Sequence, residues 1–218
     1  MNFKDYKNKF QNVEDLLVST FGRKRLEETA FPVYYNKFPP ASYLGWSRVE
    51  TAQKLLSGIH GRTALDFGAG LGAMLPYLAS HYDKVVALDL DPEITRLMKK
   101  ELNLTSVEVV KNINESKIKS NFDVIVALDV LEHVIDLPEV YELFNSVTPN
   151  KGVWIISGPT ENFLYKFARR ITNTSGEGHV RNIYDVFNEI PKDMICEKIY
   201  RLPWGIPLFL IGRFKKIA

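Results

Sequence analysis

The 218-residue chain has a single cysteine, Cys196, which excludes an intramolecular disulfide and a cysteine-clustered zinc site. That residue reads as a small apolar side chain on a strand rather than as a nucleophile. Charge of one sign is also lacking. Lys and Arg number 28 and Asp and Glu 26, a formal net charge of +2. A dedicated nucleic-acid binder shows a strong basic excess, so nucleic acid is not the expected partner. No apolar run approaches the roughly 20 residues that cross a bilayer. The longest stretch, Trp204 to Gly212, falls far short and leaves only a peripheral membrane contact open. Met1 to Phe10 is polar and lysine-rich, without the apolar stretch of a secretory leader. A cytoplasmic setting is therefore expected. Repeats and long Ser/Gly/Pro linkers are missing too.

What is present is an ordinary globular composition, 45% hydrophobic and 25% charged. From Thr63 onward, short apolar runs alternate with helical segments. The pattern predicts strands over 63–67, 84–88, 106–110, 122–128 and 152–157. Helices are predicted over 71–80, 92–102 and 138–147 between them, and over 43–58 ahead of them. Apolar runs without alternation, separated by helices, indicate parallel strands covered on both faces. Further on, helices are predicted over 161–171 and 183–189, then strands over 195–202 and 208–213. The short turn Pro203 to Pro207 pairs those last strands antiparallel. The fold class is α/β, a doubly wound, mostly parallel sheet with an antiparallel last strand. A ligand then belongs at the carboxyl ends of the strands.

The run Asp66-Phe67-Gly68-Ala69-Gly70-Leu71-Gly72 follows the first strand directly and opens a helix. Glycines let the backbone turn tightly and approach a ligand, and a helix start favours an anionic group. Asp89, at the end of the next strand, is placed to accept hydrogen bonds from two ribose hydroxyls. Dinucleotide sites use Gly-x-Gly-x-x-Gly, which fits a pyrophosphate. Here the spacing is Gly-x-Gly-x-Gly and Asp66 stands just ahead, where it repels a pyrophosphate and favours an amine. S-adenosylmethionine, with an ammonium and a ribose but no phosphate, fits those groups better. A tight turn without any ligand would leave three glycines and two carboxylates as coincidence.

These residues resemble the first motif of class I S-adenosylmethionine-dependent methyltransferases. The resemblance extends to Val85 through Pro92 and to Phe122 through Val134, and more loosely to the C-terminal hairpin. It implies a seven-stranded Rossmann-like fold with S-adenosyl-L-methionine as cofactor. Implied cofactor-binding residues are Asp66, Gly68, Ala69, Gly70, Gly72, Asp89 and Leu90, then Asn112 and Ile113 at the adenine. Leu128, Asp129 and Val130 would line the methionine end. Asn112 departs from the aspartate often found at its position. Asp91 reads as the N-cap of the helix that starts at Pro92. The whole chain is expected to be one methyltransferase domain: a helical lid segment (1–60), a cofactor-binding core (61–158) and an acceptor-side segment (159–218).

Methyl transfer to a hydroxyl needs a base beside the open end of that site. His133, after the fourth-strand motif, and His179, on a glycine-rich loop, are the candidate catalytic residues. The Glu132-His133 pair is similar to that of ubiquinone-type O-methyltransferases. Asp129, Glu132, His133 and His179 also resemble a divalent-ion cluster of small-RNA 2′-O-methyltransferases, but no metal is expected, because Glu-His recurs without one. Tyr34, Tyr35, Tyr43 and Trp46 read mostly as packing against the sheet, with one or two reaching the pocket. Lys166, Arg169, Arg170 and Arg181 read as a solvated basic face. Gly158 to Tyr165 loosely resembles methyltransferases that act on saccharides or lipids. The expected activity is methyl transfer to oxygen of a small-molecule, saccharide or lipid-linked acceptor. The alternatives are an RNA methyltransferase, or a non-catalytic cofactor-binding module that acts through a partner.

Overall fold

The computed structural model describes residues 3–27, 29–36, 38–118, 121–161 and 180–217. The chain opens with short helices α1 (Phe3–Gln11), α2 (Glu14–Phe21), α3 (Arg23–Glu27) and α4 (Phe31–Tyr34). A longer helix, α5 (Pro39–Leu56), follows. It starts ahead of the expected Tyr43 because Pro39 and Pro40 supply the φ of a first turn, where their missing N–H groups cost nothing.

The strands are β1 (Thr63–Phe67), β2 (Lys84–Leu88), β3 (Val107–Val110), β4 (Val124–Leu128), β5 (Val153–Pro159), β6 (Met194–Leu202) and β7 (Phe209–Lys216). Between them lie α6 (Leu75–His81), α7 (Pro92–Glu101), α8 (Leu137–Val147) and α9 (Ile183–Asn188). The sheet order is β3-β2-β1-β4-β5-β7-β6. The first five strands run parallel, and β7 is antiparallel to both β5 and β6. The strand order reverses between β1 and β4, and the carboxyl ends beside that point form the crevice expected of such a sheet. Of the helix expected over 161–171, Glu161 has φ +51° and is not helical, and the rest lies outside the described residues.

Side chains alternate between the two faces of the sheet. Ala64, Val85, Ala87, Val124, Val126 and Ile155 face a core shared with α5, α6 and α7. Leu65, Val86, Ile125, Ala127, Trp154 and Ile156 face a second core under α8 and α9. The N-terminal helices join the first core through Tyr6, Phe10, Leu17, Leu26 and Phe31, all buried. Each such side chain stabilises the fold by roughly 1.5–3 kcal/mol. Phe10 meets Trp46 edge-on with centroids 5.2 Å apart, and Phe31 stacks on Tyr35 at 4.5 Å. Tyr34, Tyr35 and Trp46 therefore pack, and the opening segment is fixed over the sheet. Tyr43 is exposed and stacks on Trp204.

Candidate active site

The glycine loop is closed by its own hydrogen bonds. The Gly68 and Ala69 N–H groups donate to the Leu88 carbonyl at 2.8 and 3.1 Å. Gly70 N–H donates to Asp89 Oδ2 at 2.7 Å, and Gly72 N–H to the Ala69 carbonyl at 2.7 Å. Residues 71–74 form turns, so the helix expected from Leu71 begins only at Leu75. The expected helix start at the glycine loop is corrected accordingly: four N–H groups of the loop, those of Gly68, Ala69, Gly70 and Gly72, are used within the protein. Gly68 has φ +70°, and a Cβ there would lie 2.4 Å from a Val130 methyl, so a side chain is excluded on both counts. Gly70 has φ +50° and faces open space instead.

Two carboxylates flank the loop. Asp66 is buried on β1, and burial, with the Asp89 charge second, pushes its pKa up to about 7. Asp89 stands just past β2, half-buried. Its Oδ1 accepts the Asp91 N–H at 2.9 Å. Each Asp89 oxygen thus takes one backbone donor and keeps a lone pair for a ligand. Leu90 beside it is 80% exposed, an apolar platform at the end of β2. Asn112 is exposed, and its side chain accepts the Asn114 N–H at 2.9 Å, capping the short turn Ile113–Glu115. Ile113 packs half-buried against the second core.

At the end of β4, Leu128 is half-buried and Asp129 adopts φ +53°. Asp129 N–H donates to the Ser157 carbonyl at 3.1 Å, and Ser157 Oγ donates to Asp129 Oδ1 at 2.9 Å. The other Asp129 oxygen lies 2.5 Å from Arg48 Nη1, and Arg48 is buried on α5. The Arg48 guanidinium also rests 4.2 Å over the Phe209 ring. Arg48 thus holds the Asp129 carboxylate in an ion pair. Glu132 is buried in the turn Leu131–His133, and no donor among the described residues reaches its Oε2. Burial and then the neighbouring Asp129 hold its pKa well above the carboxylate range. His133, in the same turn, is exposed, and His179 lies outside the described residues.

The residues fit one cofactor chemistry. A pyrophosphate needs free loop N–H groups, and four of them are consumed internally. Two carboxylates beside an open glycine and an exposed leucine suit a ribose, an ammonium and an adenine. Gly70, Asp89 and Leu90 would hold the nucleoside, with Asp66 and Asp129 toward the amino-acid end.

Sequence reasoning missed Arg48, Ser157 and the clasp on the ribose loop. Arg25 on α3 donates to Asp91 through Nε at 2.9 Å and Nη2 at 2.6 Å, and through Nη2 to Glu93 at 2.7 Å. Asp91 holds the N-cap position of α7, but its side chain serves Arg25 rather than the helix. Tyr6 caps the opposite side by donating to the Ala73 carbonyl. A signal for Arg48 was available: a charged residue interrupts the inward stripe Gly45, Trp46, Val49, Ala52 of α5.

Residues 47–189 match the model of a family described as a methyltransferase domain. The chain is 30% identical over 133 residues to the mitochondrial ubiquinone biosynthesis O-methyltransferase of Schizosaccharomyces pombe, covering 58% of this chain and 47% of that protein. It is also 30% identical over 108 residues to "Probable ribosomal RNA small subunit methyltransferase A" of Thermococcus onnurineus, covering 49% of this chain and 32% of that protein. It therefore spans only a third to a half of these relatives' length. Its fold is similar to that of the N-methyltransferase NodS of Bradyrhizobium japonicum, solved with S-adenosyl-L-homocysteine. That match has a TM-score of 0.64 at 16% identity, over 97% of this chain and 100% of the other.

Proposed function

The chain belongs to the methyltransferase-domain family, with S-adenosylmethionine as its cofactor, and on that premise we propose that it methylates an oxygen of a small-molecule, saccharide or lipid-linked acceptor. The observation that carries the acceptor reading is the polar floor at the ends of β4 and β5. Asp129 and Ser157 are hydrogen-bonded there, the buried Glu132 feels the Asp129 charge, and Gly68 of the glycine loop abuts Val130. A hydroxyl acceptor needs a proton acceptor at that place, whereas a free amine does not.

When bound, the cofactor supplies a sulfonium methyl as the electrophile. The protein's part is alignment and proton handling. Asp89 would receive the ribose hydroxyls, Leu90 and Ile113 would flank the adenine, and Asp66 would lie toward the ammonium. Arg48 fixes Asp129, and through it the backbone turn at the methionine end. His133 takes the acceptor proton, with His179 the second candidate. The relative named as a ubiquinone biosynthesis O-methyltransferase supports oxygen as the methylated atom.

A second reading, an RNA acceptor, is favoured by the relative named for ribosomal RNA. The net charge of +2 argues against it, since phosphate contacts dominate RNA affinity. The deciding experiment is transfer of a labelled methyl group from the cofactor to phenols, saccharides, lipid extracts and RNA. Label on an oxygen of a non-nucleic acceptor, lost in His133→Ala, supports the proposal. Label on RNA alone overturns it.

A further inference from the structure

The turn between β6 and β7 carries an apolar tip that the fold does not bury. Trp204 is 78% exposed, and its ring stacks on the exposed Tyr43 with centroids 5.3 Å apart. Ile206 and Phe38 are exposed as well. The tip is nevertheless tightly held. Thr160 Oγ1 donates to the Pro207 carbonyl at 2.6 Å, and Thr160 N–H to the Leu208 carbonyl at 3.0 Å. Gly205 N–H donates to the Arg201 carbonyl at 3.1 Å, and Ile206 N–H to the Pro203 carbonyl at 2.7 Å. A rigid, exposed aromatic cluster marks an interaction surface.

Its charge identifies the partner. Residues 38–49 and 198–209, the start of α5 and the tip with its flanks, contain no Asp or Glu. They carry Arg48, Lys198 and Arg201. Arg48 is committed to Asp129. Lys198 and Arg201 are exposed and have no acidic partner among the described residues. Tryptophan and tyrosine suit a membrane interface, where one side is apolar and the other wet, and basic residues beside them meet lipid phosphates.

We propose that the β6–β7 tip, with the start of α5, docks the protein on an anionic phospholipid surface. A second copy is a poorer occupant. β6 is an edge strand, but a bulge between Cys196 and Lys198 and the lysine itself blunt it against strand pairing. The register Pro159↔Phe209 puts the tip at the carboxyl end of β5, the end that holds Asp129 and His133. Docking there turns the acceptor side of the cleft toward the lipid. The inference stands apart from which atom is methylated, because binding to vesicles is read without turnover.

The test is co-sedimentation of the full chain with phosphatidylcholine vesicles, with and without phosphatidylglycerol, alongside tryptophan emission. Trp46 and Trp154 are buried, so quenching by brominated lipid reports Trp204. The protein should bind the anionic vesicles with quenched emission, and high salt should weaken that binding. Trp204→Ser with Ile206→Ser should weaken binding about tenfold or more, and Arg201→Glu about fivefold. Unchanged S-adenosylhomocysteine affinity in these variants would show that the fold is kept. No binding to either vesicle would overturn the proposal, as would binding that the tip variants leave intact. So would concentration-dependent self-association that buries Trp204 without lipid.

Discussion

Arg48 Nη1 lies 2.5 Å from a carboxylate oxygen of Asp129, joining the helix ahead of β1 to the turn after β4. The arginine is buried and the aspartate largely so, which makes the pair expensive to break from one side. Arg48→Met should destabilise the protein by about 3 kcal/mol, the usual scale for leaving one buried charge uncompensated. Arg48→Met with Asp129→Asn should recover part of that loss. Denaturant unfolding of the two single variants and the double variant measures the coupling.

Asp66 gives a pH signature. Its folded pKa, about 7, lies above the ordinary carboxylate value, so the neutral form is favoured in the folded protein. Stability from this group is full at low pH and is lost as pH rises toward about 7. Asp66→Asn should therefore raise the melting temperature at about pH 8.5 and leave it nearly unchanged at about pH 4. If the ionised form receives the cofactor ammonium, affinity should rise roughly tenfold from about pH 6 to about pH 8, and Asp66→Asn should flatten that rise. Calorimetric titration across pH reads it.

Glu132 is buried at a cost in stability. Its buried Oε2 meets no donor among the described residues, a cost of about 1–3 kcal/mol that an apolar side chain of similar shape removes. Glu132→Met should raise the melting temperature by a few degrees and lower turnover. Thermal unfolding and methyl transfer on one preparation check both. Equal activity in the variant would leave Glu132 without a role.

The Arg25 clasp should govern how fast the cofactor leaves. Arg25 grips Asp91, whose N–H is hydrogen-bonded to Asp89. Arg25→Ala should speed release of S-adenosylhomocysteine several-fold, and added salt should do the same to the wild type. Stopped-flow displacement measures both rates.

The sheet and the tight turn of the glycine loop were legible in the chain because local rules fix them. The loop Gly68 to Gly72 follows from its glycines. The parallel strands follow from apolar runs that match on both faces of the sheet. The start of α6 was misplaced because turns close within the loop before the helical ladder begins. Arg48 and Ser157 were harder. They reach Asp129 only when α5 and β5 are brought together, and residues so far apart in the chain share no local pattern. The Arg25 clasp was hidden for the same reason, its two ends being joined across the N-terminal helices and the β2–α7 turn.

If the closed glycine loop and Asp89 form a site for a sulfonium nucleoside and not for a pyrophosphate, calorimetric titration of the wild type and Asp89→Ala with S-adenosylhomocysteine and NADH will show it. S-adenosylhomocysteine should bind, about 100-fold more weakly to Asp89→Ala through loss of the ribose hydrogen bonds and of the Gly70 and Asp91 N–H acceptor. NADH should not bind. NADH binding without S-adenosylhomocysteine binding, or equal S-adenosylhomocysteine affinity in the variant, would contradict it.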